Sequence, residues 1–210
     1  IYVDGVRDLG SISRDVFNIQ QVEVAKGPSG ADFGRSAPTG SINLASKQAT
    51  LGQANSATVS YGSANQRRLT TDLNAALGAS SALRINLMAQ DSGVPGRDFV
   101  NNQRWGIAPS LGFGLDGNTR AYLNLLHVDQ DNVPDGGVPT IGLPGYRAPD
   151  GRSYLSSAAR VNSSNFYGTT SDFDKVKSDM FTARVEHDLT PDVTLRNTTR
   201  QVRKLSVTSY

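Results

Sequence analysis

From Ala57 onward, apolar and polar residues alternate along the chain. Ala57, Val59 and Tyr61 alternate with Thr58 and Ser60; Leu69, Thr71, Leu73, Ala75 and Leu77 with Arg68, Thr70, Asp72 and Asn74. Leu83, Ile85, Leu87 and Ala89 repeat the pattern, then Trp105, Ile107, Pro109, Leu111, Phe113 and Leu115, then Phe181, Ala183, Val185 and Leu189. A period of two is the signature of a strand with two unlike faces. It predicts seven strands, near 56–62, 67–78, 82–90, 104–115, 119–130, 177–189 and 193–207. Ala121–Val128 is the least regular, because both of its faces carry apolar residues. Charges at 68, 72, 84, 184, 186 and 188 all fall on the polar face.

The connections also alternate. Gly78–Ser81, Asp116–Asn118 and Thr190–Asp192 are tight, with Asp116-Gly117 a hairpin signal and Pro191 suited to a type I turn. Between them lie the longer Asp91–Gln103 and the much longer Asp131–Val176, while Ser63–Gln66 is short. Tight turns at one end and long loops at the other, on strands near the ~9–11 residues of a membrane span, fit a transmembrane antiparallel β-barrel. A soluble all-β domain would alternate in the same way, so periodicity leaves both open.

The first 55 residues differ. Val22–Ala25 and Ile42–Ala45 read as two short strands, joined by a connection rich in Gly and Pro. A phosphate loop does not fit there: Gly30 and Gly34 are wrongly spaced and Arg35 stands where lysine is needed. Ile1–Val3 reads as a strand ending in the turn signal Asp4-Gly5, and Gln48–Asn55 as a polar linker.

Composition narrows the function classes. Hydrophobic content is 37%, and no run of 18 apolar residues occurs, so no transmembrane helix is expected. The net charge of +2, from 21 basic and 19 acidic residues, argues against nucleic acid as a partner. There is no cysteine, hence no thiolate metal site. His127 and His187 both fall inside predicted strands, and no Ser-His-Asp set has credible spacing. Asp129, Asp131 and Asp135 invite a calcium reading, but Val133 and Pro134 stand where a calcium loop needs Asp or Asn and then Gly. No catalytic and no metal-binding residue is expected. The chain starts directly in a strand-like segment, which suggests a piece of a longer protein.

One stretch is more specific. Val22-Glu23-Val24, Lys26-Gly27-Pro28, Phe33-Gly34, Gly40-Ser41-Ile42-Asn43 and Lys47 together resemble the C-terminal half of the plug domain of TonB-dependent outer-membrane receptors. Ile1–Asn18 and Pro134–Tyr146 resemble the branch that takes up catecholate siderophores. The resemblance implies a plug portion at 1–47, a linker at 48–55, and barrel strands with their extracellular loops at 56–210. The complete barrel would have about 22 strands. It further implies the bacterial outer membrane, with outer-membrane lipid as one partner. The ligand would be a ferric catecholate, its iron wrapped by the siderophore, so no protein cofactor is needed. Energy would come from TonB of the TonB-ExbB-ExbD complex, through an N-terminal box outside this sequence. The alternatives are a receptor of this fold for cobalamin or a glycan, a passive porin, or a soluble interaction domain.

Candidate ligand contacts follow from the resemblance. Arg14, and secondarily Arg7, would present guanidinium from a plug loop to the anionic ligand. Asp8 and Asp15 could instead hold Arg14 in an internal salt bridge. The long loop contributes Tyr146, Arg147, Phe166 and Tyr167, since arginine with aromatics suits a flat, anionic, catechol-bearing ligand. The same residues fit a solvated loop packed on its own aromatics.

Overall fold

The structure is a computed structural model that describes residues 1–8, 15–27, 39–169 and 171–209. Two sheets form, one from each part of the chain. The first has four strands, β1 (Tyr2–Val3), β2 (Val6–Arg7), β3 (Ile19–Lys26) and β4 (Gly40–Ser46), in the order β2-β1-β4-β3. β1 and β2 form a hairpin whose turn residues, Asp4 (φ 50°) and Gly5 (φ 78°), both have positive φ, as a two-residue turn matched to strand twist requires. Arg7, expected in a loop, lies on β2. β4 runs parallel to β1 and antiparallel to β3, so the two apolar runs around Val24 and Ile42 do pair as neighbours.

The second sheet has seven strands in simple up-and-down order. They are β5 (Ala54–Tyr61), β6 (Arg67–Ala76), β7 (Ala82–Gly93), β8 (Asn101–Phe113), β9 (Thr119–Val133), β10 (Phe173–Thr190) and β11 (Val193–Ser209). All neighbours are antiparallel, and partners in register share parity: Leu69 opposes Ala89, Leu87 opposes Ile107, Leu125 opposes Phe181. Odd-numbered residues therefore share one face through the whole sheet. That face carries Val59, Leu69, Leu73, Leu87, Trp105, Leu123, Leu125, Phe181 and Val185, all exposed. The even-numbered face turns to the small sheet, and its Asn74, Asn86, Ser110, Gln130, Ser178 and Thr182 are buried.

The strand ends differ from the sequence reading in a systematic way. β7 and β9 run three residues further outward than expected, and β8 and β10 begin three and four residues earlier. The apolar alternation has stopped there, but the ladder has not. Cross-strand ion pairs take over, Lys177–Asp129 at 3.2 Å and Lys175–Asp131 at 2.9 Å. The same pairs separate the aspartates of the discarded calcium pattern: Asp129 and Asp131 each meet a lysine, and Asp135 meets Arg97.

The core lies between the two sheets. Val3 and Phe17 of the small unit pack on Met88, Ala108, Leu126, Val128 and Met180 of the large sheet, with Leu44 at the side. This explains the irregular pattern of 121–128: Leu126 and Val128 point to the small sheet's core, while Leu123 and Leu125 point away. Gly106 admits the Phe17 ring, since a Cβ there would approach it to 3.1 Å.

Candidate functional site

The interface between the sheets is rich in charge, and several ion pairs join it among the described residues. Arg200 on β11 donates to Asp4 Oδ2 at 3.0 Å and to the Val3 carbonyl at 2.7 Å. Lys204 reaches Asp8 at 3.2 Å. Asp72 on β6 accepts from both Arg84, at 2.7 Å, and Lys47, at 3.0 Å. Removing ions from water is costly unless they pair, so the inward charges of the wall and the carboxylates of the small sheet are mutually required.

The segment after β4 is docked rather than a free linker. Ala49 is buried, and its N–H donates to Ser110 Oγ at 3.1 Å. Asn74 accepts from Thr50 N–H at 3.1 Å and donates to the carbonyls of Thr50 and Gly52.

Asp15 stands next to the outer ends of β6 and β8. Arg68 donates to it through both terminal nitrogens, at 2.7 and 2.8 Å, and Arg104 lies at 3.5 Å. Burial pushes the Asp15 carboxyl up. The hydrogen bond and charge of Arg68, the charge of Arg104 and the Phe17 N–H outweigh it, and the group lies below the usual carboxylate range. A depressed carboxylate stabilises the folded state above its unfolded pKa, and that stability is lost as pH falls through the folded value. In the full-length protein, Asp15→Asn should therefore lower the denaturant midpoint of the plug near neutrality by the equivalent of about 1–2 kcal/mol. The gap between wild type and variant should close below pH ~4. A gap that is constant from pH 7 to pH 3 would exclude this role.

Two outer connections meet at the end of the large sheet that carries the long loops. Arg97, between β7 and β8, donates to Asp135 Oδ1 at 2.6 Å and Oδ2 at 2.8 Å, and also to the Ser163 carbonyl. The Asp98 N–H donates to the Ser164 carbonyl at 2.8 Å. Phe99 meets Phe166 with ring centroids 6.1 Å apart. Asp135 is held below the usual carboxylate range by the Arg97 hydrogen bond and by the Gly137 N–H.

Arg14, the foremost sequence candidate, lies outside the described residues. The acids considered as its internal partners are engaged by the wall, Asp15 by Arg68 and Asp8 by Lys204. Arg7 is exposed at the edge of the small sheet. Tyr146 is half-buried after a turn closed by its N–H to the Leu143 carbonyl at 3.1 Å, and Arg147 beside it is exposed. Phe166 is half-buried against Phe99, and Tyr167 is 54% exposed. No described hydrogen bond or ring contact joins Tyr146 or Arg147 to Phe166 or Tyr167. Sequence reasoning missed Arg97, Phe99 and Asp135. Arg97 was legible only as one basic residue in a polar loop, and its partners are 38 and 66 positions away.

A four-stranded unit that fills the inner face of an up-and-down antiparallel wall, joined to it by paired charges, is the arrangement of a plugged barrel. The family model of the TonB-dependent receptor plug domain matches residues 1–41. The chain is similar throughout to one portion of the TonB-dependent receptors, proteins of the bacterial outer membrane. Within them it is similar to the catecholate siderophore receptor Fiu of Escherichia coli K12, at 54% identity over 97% of this chain and 27% of that protein. The closed-form crystal structure of the ferric-catecholate import receptor Fiu from the same organism superimposes with a TM-score of 0.93, at 53% identity over 99% of this chain and 29% of that one. The siderophore receptor PiuA of Acinetobacter baumannii superimposes with a TM-score of 0.84, at 34% identity over 98% of this chain and 29% of that one. The chain thus spans about a quarter of the length of the curated relatives it matches, 27% for Fiu.

Proposed function

We propose that the whole protein captures ferric catecholate siderophores at the outer face and imports them with energy supplied by TonB of the TonB-ExbB-ExbD complex. The observation that carries this reading is the 54% identity to Fiu, which runs through plug and wall alike. In this reading residues 1–47 are plug, 48–55 connect it, and 56–210 are the first part of the wall with its extracellular loops. The odd-numbered face meets lipid: on β8, Trp105 to Phe113 covers about 27 Å along the strand at ~3.4 Å per residue, enough for a tilted strand to cross a ~25 Å apolar band. Iron is cargo, held by the catecholate oxygens, and the protein contributes charge, hydrogen bonds and stacking.

Arg14, Arg7, Tyr146, Arg147, Phe166 and Tyr167 are the proposed ligand contacts. Support for Arg14 comes from its neighbours: Asp8 and Asp15 are tied to Lys204, Arg68 and Arg104, all toward the outer ends of their strands. A tris-catecholate complex of ferric iron carries about three negative charges, and a charge-assisted hydrogen bond contributes roughly 1.5–3 kcal/mol. Arg14→Ala should raise Kd about tenfold or more, where ~1.4 kcal/mol is one decade. Arg14→Lys should recover part of it, having lost the planar fork. The deciding experiment is uptake of labelled ferric catecholate by cells that carry the full-length protein, with and without an uncoupler. Uptake that ignores the uncoupler would point to a passive pore. Energy-dependent uptake of cobalamin or a glycan, without uptake of the catecholate, would point to another ligand.

A further inference from the structure

The long outer loop between β9 and β10, residues 134–172, holds four of the six proposed ligand contacts, yet among its described residues only one short 3-10 turn, Ser153–Ser157. A loop of that length with so little internal ladder has many conformations to lose when it engages a ligand. Among the described residues, the contacts that tie it to the rest of the chain converge on the β7–β8 connection.

We infer that Arg97 is a positioning residue for ligand capture: its guanidinium clamps both legs of the long loop and presets the aromatic residues carried beyond them. The geometry is specific to arginine. Nε and one terminal nitrogen form a bidentate pair with Asp135, two residues beyond the end of β9. The other terminal nitrogen donates to the Ser163 carbonyl, on the returning leg. One planar group thereby joins points 28 residues apart on the loop (163 minus 135) to a third segment. The Asp98 N–H to the Ser164 carbonyl and Phe99 against Phe166 extend the same seam. Phe166 and Tyr167 follow it directly, so their positions depend on the clamp. Asp135 meanwhile orders the outgoing leg by accepting from the Gly137 N–H at 2.8 Å. Ordering the loop before binding lowers the entropy lost on binding. Lysine at 97 could keep the charge and one bond but could not span Asp135 and Ser163 together.

This inference rests on the receptor reading for its ligand, while its structural half is testable alone. In the full-length protein, spin labels at Pro95→Cys and Ser156→Cys report the separation of the two loops. Binding of a ferric tris-catecholate complex reports capture, and heat-modifiable gel mobility checks the barrel. A narrow distance distribution is expected in the wild type, a broad one in Arg97→Ala, and an intermediate one in Arg97→Lys. Kd should rise about tenfold for Arg97→Ala, ~1.4 kcal/mol in free energy, and by less for Arg97→Lys. A distribution unchanged in Arg97→Ala overturns the clamp. A broadened distribution with unchanged Kd overturns the positioning role. Wild-type protein that binds no ferric catecholate sinks the receptor reading instead, and the distances still decide the clamp.

Discussion

Leu125→Arg should destabilise the barrel of the full-length protein by about 2–4 kcal/mol, the scale for a cation placed at the bilayer midplane on a lipid-facing strand position. Leu125 lies near the middle of β9, opposite Phe181, and is 53% exposed on the face away from the plug. Arginine there has no partner in register and must draw water or headgroups inward. Gln103→Arg tests depth on the same face. Gln103 is near the outer end of β8, opposite Asp91 and Asp131, and the cost there should be about 0–1 kcal/mol. Urea unfolding in phospholipid vesicles measures both. Equal midpoints for the two variants would sink the lipid-facing assignment of the odd-numbered residues.

Asp4→Ala should undock part of the plug while leaving the wall intact. The Asp4 carboxylate accepts from Ser46 N–H at 2.7 Å, Ser46 Oγ at 2.9 Å and Arg200 at 3.0 Å. The Asp4 and Arg200 side chains are only 8% and 6% exposed, the most enclosed ion pair joining plug and wall among the described residues. Removing one member of a buried pair strands the other charge, at about 3 kcal/mol. Arg200 keeps Thr182 Oγ1 and the Val3 carbonyl, which places the cost at the lower end of that range. Asp4→Asn retains a residue that tolerates positive φ and should fall between alanine and wild type. Hydrogen exchange on the full-length protein separates the two regions. Amides of β1 and β4 should exchange faster in Asp4→Ala, and those of β6–β9 should not. Faster exchange throughout, or no change at all, would exclude a docking role for this pair.

Both predictions depend on the two faces of the wall, and the sequence exposed those faces unequally. The lipid-side face was legible because its requirement is local and repeated: every second residue must be apolar, whatever its neighbours. The plug-side face looked merely polar. Its Arg68, Asp72, Arg84 and Arg200 find partners 197 positions away in the extreme case, and nothing in their local sequence names the partner. Leu126 and Val128 blurred the alternation because one patch of that face meets apolar plug residues instead of polar ones.

The sequence by itself determined the seven strands of the wall, the alternation of tight turns with long loops, and, through the plug motif, the family resemblance. Period-two patterning and turn chemistry are short-range, and they survive in a single chain read alone. Only the tertiary structure decided where the strands end, which acid answers which cation, and what holds the long outer loop. Beyond the apolar band the ladder continues on Lys177–Asp129 and Lys175–Asp131, pairs that leave no periodic trace. The seam of Arg97 with Asp135 and Ser163 brings three separate stretches together. Such contacts are selected by the packing of whole elements, and a charge in a loop carries no record of the partner that packing will bring to it.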